Sequence, residues 1–172
     1  MPLRDDISAA DLVKATYRLA EKGERITHLG ICPMSEELIR APIELALEYD
    51  FPLFFVASRN QVSEEEGGGY VMGLTPESFV QKISDVEKSL GVNSNSSPDY
   101  LRFVSVDHCG PWYREKEKKM SEEEAIKSVK RTLIACLRAG YSGFHIDCSF
   151  KPPPSVKMNE EKIIKLTVDL IE

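Results

Sequence analysis

An aspartate and a histidine stand side by side at Asp107 and His108, directly before a Gly110-Pro111 break. A carboxylate can transfer protons and a neutral imidazole is a good zinc ligand, so the pair could serve a metal-assisted reaction. The same pair could instead be structural, with the aspartate capping the next loop and the histidine buried in a core. Taken alone, the pair leaves both interpretations equally open.

A second polar group follows in the run His145-Ile146-Asp147-Cys148-Ser149. If this run is a strand, His145, Asp147 and Ser149 share one face because side chains alternate along a strand. The three side chains could contact a substrate at the mouth of a site. They could equally be buried polar groups that hydrogen-bond one another.

Two further stretches carry amides, glycines and charges. Asn60-Gln61 precedes the glycine run 67–69, where a backbone without side chains could approach a phosphate or a sugar, although a plain mobile loop is the more common meaning. The acidic run 64–66 would repel a bisphosphate if it faced a pocket, so we interpret it as solvated. We interpret the charged run 114–119 as a solvated loop or the start of a helix.

Alternating helices and strands position these residues. We predict strands at residues 27–32, 53–57, 103–107 and 142–150, with helices beginning near Ser8, Ser35, Thr75, Ser121 and Asn159 and a proline break at 152–154. Strict alternation predicts a parallel sheet, either doubly wound or part of a barrel. The apolar run 53–57 predicts a strand buried on both faces. The other three strands alternate polar and apolar residues, which favours a barrel whose polar face lines the centre.

Composition restricts the class of protein. With 172 residues, 42% of them hydrophobic, the chain is long enough for one core, and we predict a single domain over residues 1–172. A formal charge of −6 argues against nucleic acid or an anionic membrane as the main partner. No apolar run approaches the roughly 20 residues of a membrane span, and the amino terminus lacks the features of a secretory signal. Four cysteines without CxxC spacing predict reduced thiols in a cytoplasmic protein, and we expect Cys32, Cys109 and Cys148, near the strand ends, to be buried.

Several short blocks, taken in order, resemble one known family. They are Asn60-Gln61-Val62, Gly68-Gly69-Tyr70, Gly73-Leu74-Thr75-Pro76, Asp107-His108-Cys109-Gly110-Pro111, Ala139-Gly140-Tyr141-Ser142 and His145-Ile146-Asp147. Together they are similar to the D-tagatose-1,6-bisphosphate aldolase subunit family usually called non-catalytic (GatZ/KbaZ-like). That family is related to the class II zinc-dependent aldolases.

The resemblance implies an α/β fold of the TIM (β/α)8 barrel type, with about the first four β/α units in this chain. It implies a subunit that supports or performs retro-aldol cleavage of a ketose bisphosphate to dihydroxyacetone phosphate and glyceraldehyde 3-phosphate. Asp107 would transfer protons and His108 would bind Zn²⁺. Substrate-binding positions would be Asn60, Gln61, Gly68, Gly69, His145 and Asp147, and the face-sharing pattern adds Ser149. The expected partners are a sugar phosphate and a catalytic aldolase subunit or further copies of the chain.

The sequence also departs from the family pattern. Val56 stands where the family often has a glutamate, and the other zinc ligands of class II aldolases come from later strands, so we expect an incomplete zinc site and the amino-terminal half of a barrel. Two alternatives therefore stay open. One is a metal-dependent epimerase of a ketose or ketose phosphate on the same scaffold. The other is a non-catalytic half-barrel that acts only by association through unpaired strand edges.

Overall fold

Five α-helices and four β-strands make up the computed structural model, which describes residues 7–92, 100–151 and 158–172. The elements are α1 (Ala9–Ala20), β1 (Leu29–Ile31), α2 (Glu37–Tyr49), β2 (Leu53–Ser58), α3 (Pro76–Ser89), β3 (Arg102–Asp107), a 3₁₀ helix (Glu115–Lys119), α4 (Glu122–Arg138), β4 (Gly143–Phe144) and α5 (Glu160–Ile171). Within the described residues, no helix is long and apolar enough to cross a membrane. The predicted proline break at 152–154 lies outside the described residues.

Local sequence signals determine where the helices begin. Thr75 caps α3 by accepting a hydrogen bond from the Ser78 amide, and Pro76 occupies the first turn, where a missing N–H costs nothing. Ser121 and Glu124 form a capping box at the start of α4. Each such cap contributes about 1 kcal/mol to helix stability. The helix starts predicted at these positions are confirmed.

The four strands form one parallel sheet in the order β1-β2-β3-β4. In the register of β2 and β3, Phe54 lies beside Phe103 and Ser58 lies beside Asp107. Each strand is therefore a neighbour of the one that precedes it in the chain, as expected when helices connect successive parallel strands. The prediction of an α/β fold with strictly alternating elements is confirmed.

The two faces of the sheet differ in burial. Val104 and Val106 of β3 are buried in the core beneath the helices, whereas Ser105 and Asp107 on the opposite face are half-buried. The face assignment made from the alternation of β3 is thus confirmed. The core on the helical side includes Ile39, Ile43, Leu53, Phe55, Ala57, Phe79, Ile83 and Val129.

Strand β2 does not match the predicted burial on both faces. Its residues alternate between buried and half-buried, with Leu53, Phe55 and Ala57 buried and Phe54 half-buried on the opposite face. Phe54 stacks on Phe103, with 4.9 Å between ring centroids. The apolar run did not indicate burial on both faces here, because the face of β2 opposite the helices carries apolar side chains that no helix covers.

Strand β4 is much shorter than the predicted strand 142–150. Only Gly143–Phe144 is strand, although the His145 amide still donates to Val106 O at 3.0 Å and the Cys109 amide donates to His145 O at 2.8 Å. The ladder stops because the backbone turns directly after the neighbouring strand β3. There His108 takes a left-handed conformation with φ of 46° and leaves the strand direction. Residues 145–150 therefore run beside the loop after β3 without regular pairing.

Candidate functional site

The carboxyl edge of the sheet gathers the polar residues at the ends of β3 and β4. Asp107 ends β3 and His108 begins the following turn, with its side chain 50% exposed. A left-handed φ is uncommon for a residue other than glycine, costs free energy, and is concentrated at functional sites. Here it carries the His108 imidazole out of the strand and towards His145, with 5.0 Å between the ring centroids.

Asp107 lies between the two imidazoles. Its Oδ1 is 2.7 Å from His145 Nδ1, and its Oδ2 is 3.8 Å from His108 Nε2. One ligand atom from each of Asp107, His108 and His145 lies within 4.8 Å of the others, so the three could hold a metal ion. Two imidazoles with one carboxylate are a donor set that suits Zn²⁺ and other first-row divalent ions. His145, expected as a substrate contact, thus lies among the potential ligands.

Asp147 forms a hydrogen bond with His108 but is not one of the three potential metal ligands. Its Oδ2 is 2.8 Å from His108 Nδ1 and also accepts from the Tyr113 hydroxyl, while its Oδ1 accepts from the amide and hydroxyl of Ser149 at 2.9 and 2.6 Å. Burial alone would raise the pKa of Asp147, but the hydrogen bonds from Ser149, Tyr113 and His108 outweigh it and hold that pKa well below its usual range. In return, the hydrogen bond to Asp147 raises the pKa of His108.

Tyr113 was not singled out in the sequence. Its ring stacks on the His108 imidazole with 5.4 Å between centroids, and its hydroxyl donates to Asp147. Burial and the hydrogen bond to Asp147 raise the pKa of Tyr113 to about 12, so its hydroxyl keeps its proton near neutral pH. The available signal was its position six residues after Asp107, in the loop that follows the Asp-His pair.

Gly110 brings the two polar segments into direct contact. A Cβ built on Gly110 would lie 1.5 Å from the carbonyl oxygen of Asp147, a distance that no side chain can occupy. The sequence marked this glycine only as a break in the strand. The structure shows that the absence of a side chain at 110 lets the segment with Asp147 lie against the turn that carries His108.

The predicted amide pair separates into two environments. Asn60 Nδ2 donates to Tyr113 O at 3.1 Å, so Asn60 lies at the rim of the cluster. Gln61 is buried, and its amide links Ser58 N at 2.8 Å to Cys32 Sγ at 2.6 Å, which ties the loop after β2 to the end of β1. A substrate role for either side chain stays a prediction, and Gln61 already has partners for both ends of its amide.

The glycine run is packed against the chain's own backbone. A Cβ on Gly69 would lie 2.1 Å from Gln61 O, and one on Gly68 would lie 2.0 Å from Gly73 O. The Gly69 amide donates to Leu74 O at 2.9 Å. These glycines therefore accommodate a close backbone approach within the loop after β2, and substrate binding at Gly68 and Gly69 stays a prediction.

The interpretation of the charged runs as solvated was wrong for Glu64, Arg114 and Glu117. It holds for the exposed members of the two runs, Glu66, Glu115, Lys116, Lys118 and Lys119. Glu117, in the run 114–119, is completely buried and accepts two hydrogen bonds from Arg59, at 2.6 and 3.0 Å. Arg114 is 4% exposed and pairs with Glu64 of the acidic run at 2.7 Å. A run of charges does not show which of its members faces inward, because that depends on opposite charges far away in the sequence.

Arg59, Glu117, Arg114 and Glu64 form a buried cluster of ion pairs, and this cluster contacts the turn after β3 at Gly110. Arg59 also donates to Gly110 O at 2.7 Å and to the hydroxyls of Thr132 and Ser128, so all five of its N–H groups have partners. Arg114 in turn donates to Arg59 O at 3.0 Å. The cluster joins the loop after β2, the loop after β3 and helix α4.

The four cysteines are free thiols, as predicted. Cys109, Cys136 and Cys148 are buried, whereas Cys32 is exposed, which contradicts the expectation that it is buried. Burial raises the pKa of both Cys109 and Cys136 to about 12. These two thiols therefore stay protonated and behave as small apolar side chains, even though Cys109 adjoins His108.

Comparison with known proteins places the chain in a family. The family model described as D-tagatose-1,6-bisphosphate aldolase subunit GatZ/KbaZ-like matches residues 13–168. Among solved structures, the chain is similar to a probable tagatose 6 phosphate kinase from Sinorhizobium meliloti 1021, with 22% identity, a TM-score of 0.68 and 82% of this chain covered. The match covers 34% of that structure's chain, and at this identity it shows a shared fold alone. None of the curated proteins compared matches significantly. Because the family model spans most of its length, the chain belongs to the D-tagatose-1,6-bisphosphate aldolase subunit GatZ/KbaZ-like family.

Proposed function

We propose that the chain is part of a metal-dependent ketose-bisphosphate aldolase subunit in carbohydrate metabolism, with tagatose 1,6-bisphosphate as its substrate. The observation that carries the proposal is the meeting of Asp107, His108 and His145 at the carboxyl edge of a parallel sheet, with their ligand atoms within 4.8 Å. Membership of an aldolase subunit family adds the reaction class. Parallel α/β folds hold their chemistry at this edge.

The three residues have different roles in the proposed reaction, metal binding and proton transfer. His108 and His145 supply nitrogen ligands, and Asp107 Oδ2 is close enough to complete the set. Zinc, when bound, would polarise the ketose carbonyl. Asp107 accepts the proton of the C4 hydroxyl, the C3–C4 bond breaks, C4 leaves as the aldehyde, and the electron pair stays on the C3 fragment as an enediolate. Return of the proton from Asp107 to C3 completes dihydroxyacetone phosphate.

Metal binding provides the first test. With Zn²⁺ added to the metal-free full chain, calorimetry should show one site, and His108→Ala or His145→Ala should each weaken it by more than about 100-fold, beyond the loss caused by removing an outer partner. His28→Ala is the matched control, since His28 is the one remaining histidine of the chain's three and contacts Thr16, away from the cluster. Equal binding by wild type and both cluster variants would contradict the proposed site.

Proton transfer provides the second test. Asp107→Asn keeps an oxygen near His108 but removes the proton acceptor, so release of triose phosphates from tagatose 1,6-bisphosphate should fall by about 100-fold or more even when Zn²⁺ is raised enough to saturate the site. The assay is run with and without a catalytic aldolase subunit, because the family description names a subunit. Activity unchanged by Asp107→Asn would remove Asp107 from the mechanism.

The epimerase alternative uses the same residues. Two His–Asp pairs, His145 with Asp107 and His108 with Asp147, lie next to each other and could exchange protons with a bound sugar. An epimerase would return a ketose phosphate of the same size and no triose phosphate. Analysis of the products of the same incubation therefore distinguishes the two reactions.

We also propose that residues 1–172 form one domain that is the first half of a TIM-type barrel. Its support is the strand order β1-β2-β3-β4, the packing of α2, α3, α4 and α5 against the same buried face, and the half-buried opposite face that carries Phe54 and Ser105. An apolar groove of about 440 Å³ beside β4, lined by Leu137, Phe144 and Leu170 among others, is where a fifth unit would pack. A half-barrel that acts only by association would use the same groove, and it would show neither Zn²⁺ binding nor triose phosphate release.

A further inference from the structure

We propose that Asp147 and Tyr113 are positioning residues that hold the His108 imidazole in one tautomer, with the Nε2 lone pair directed towards Asp107. The inference rests on the proposed role of His108 as a metal ligand. It gives Asp147 a role other than substrate contact, and it gives Tyr113 a role that the family resemblance did not indicate.

The contacts of Asp147 carry the first step. Its two oxygens receive four hydrogen bonds, from His108, Tyr113 and twice from Ser149, and its side chain is only 15% exposed. A carboxylate with this many donors has little capacity left for a substrate hydroxyl. Its one contact with a potential ligand is the hydrogen bond to His108 Nδ1 at 2.8 Å.

The second step concerns the two nitrogens of His108. An ionised carboxylate can only accept, so the Nδ1 that faces Asp147 must carry the proton of the neutral ring. Nε2 is then unprotonated, and it lies on the side of Asp107 Oδ2, at 3.8 Å. A ligating histidine is commonly oriented in this way by a carboxylate on its other nitrogen, which fixes the tautomer and raises its basicity.

Tyr113 restricts the remaining freedom of the ring. It stacks on the His108 imidazole at an interplanar angle of 29° and donates to the same Asp147 oxygen. His108 is half exposed, so without these contacts its ring could rotate into solvent. The backbone carbonyl of Tyr113 is itself held by Asn60 Nδ2 at 3.1 Å, which gives Asn60 a structural part in the same arrangement.

The decisive measurement is the tautomer of His108 in the metal-free full chain, read from the ¹⁵N shifts of its two ring nitrogens. The pH is chosen well above the raised pKa of His108, so that the ring is neutral. Wild type should show a protonated Nδ1. Asp147→Ala should shift His108 towards the Nε2-protonated form that free histidine prefers, while the signals of His28 stay unchanged. A wild-type ring protonated at Nε2 would overturn the proposal.

Zn²⁺ affinity is the second measurement. Asp147→Ala should weaken binding about 10- to 100-fold, as loss of such an outer partner does elsewhere, and Tyr113→Phe should weaken it less. Asp147→Asn can still accept from Nδ1 through its carbonyl oxygen and should restore most of the affinity. Circular dichroism checks that each variant is folded, and if Asp147→Ala is not, Asp147→Asn and Tyr113→Phe decide.

The two measurements separate this proposal from the proposed function. If wild type binds no Zn²⁺, the metal site fails, but the tautomer still shows whether Asp147 orients His108. If Zn²⁺ binds and Asp147→Ala changes neither the tautomer nor the affinity, the metal site stands and the positioning role is wrong. A Tyr113→Phe variant identical to wild type in both would remove Tyr113 alone.

Discussion

Replacing Glu117 by glutamine is expected to lower the free energy of unfolding by about 3–5 kcal/mol, the loss that follows when one partner of a buried ion pair is removed. Arg59 and Glu117 are both fully buried, and two hydrogen bonds join them. Glutamine keeps the size of the side chain but leaves the Arg59 charge without compensation in a site that water does not reach. Urea unfolding followed by circular dichroism gives the difference.

The matched control for Glu117→Gln lies on the same 3₁₀ helix. Glu115 pairs with Lys118 at 2.5 Å, but its side chain is 86% exposed, so solvent screens the pair and Glu115→Gln should leave the unfolding curve unchanged. Similar losses for the two variants would mean that the Arg59–Glu117 pair is no more important than a surface pair. Because Arg59 also holds the Gly110 carbonyl, Glu117→Gln should weaken Zn²⁺ binding as well.

Gly110→Ala is expected to destabilise the chain by at least about 3 kcal/mol, the upper end of the usual cost of overpacking, and to abolish Zn²⁺ binding. The added Cβ would lie 1.5 Å from the carbonyl oxygen of Asp147. A backbone atom cannot move aside as the end of a side chain can, so the turn after β3 and the segment after β4 must separate. That separation would move His145, on the segment after β4, away from Asp107 and His108, and it would also break the contact between His108 and Asp147.

Gly30→Ala is the control for Gly110→Ala. Gly30 lies in β1, where an added Cβ would meet only Val56 Cγ2 at 3.5 Å, an ordinary contact distance. Thermal unfolding and Zn²⁺ titration of both variants measure the contrast. A Gly110→Ala variant as stable as Gly30→Ala, with Zn²⁺ binding retained, would show that the two segments can move apart without cost.

The face on which Asp107 lies could be predicted because β3 is regular. Val104 and Val106 alternate with Ser105 and Asp107, and a strand sends successive side chains to opposite faces. The helix starts at Thr75 and Ser121 could be predicted for a similar reason, since a cap is a contact between residues three apart. Both inferences depend only on local geometry, and local geometry follows from neighbouring residues.

The errors concern residues whose partners are distant in the chain. Glu117 is buried because Arg59 is opposite it, and the two are 58 residues apart. The predicted strand 142–150 ends after Phe144 because the backbone after the neighbouring strand β3 turns at His108. The φ of His108 is left-handed, which residues other than glycine do not favour. No pattern within either segment carries this information.

The sequence by itself determined the class of fold, the order of the elements, and the placing of Asp107, His108, His145 and Asp147 near strand ends. Only the tertiary structure decided which of these residues contact one another. Asp107 lies between the two imidazoles, and Asp147 forms a hydrogen bond with the His108 imidazole. The physical reason is that periodicity fixes the direction of a side chain within its own element. The distance between two side chains on different elements depends on packing, and here it depends on a glycine at 110 and a buried arginine at 59.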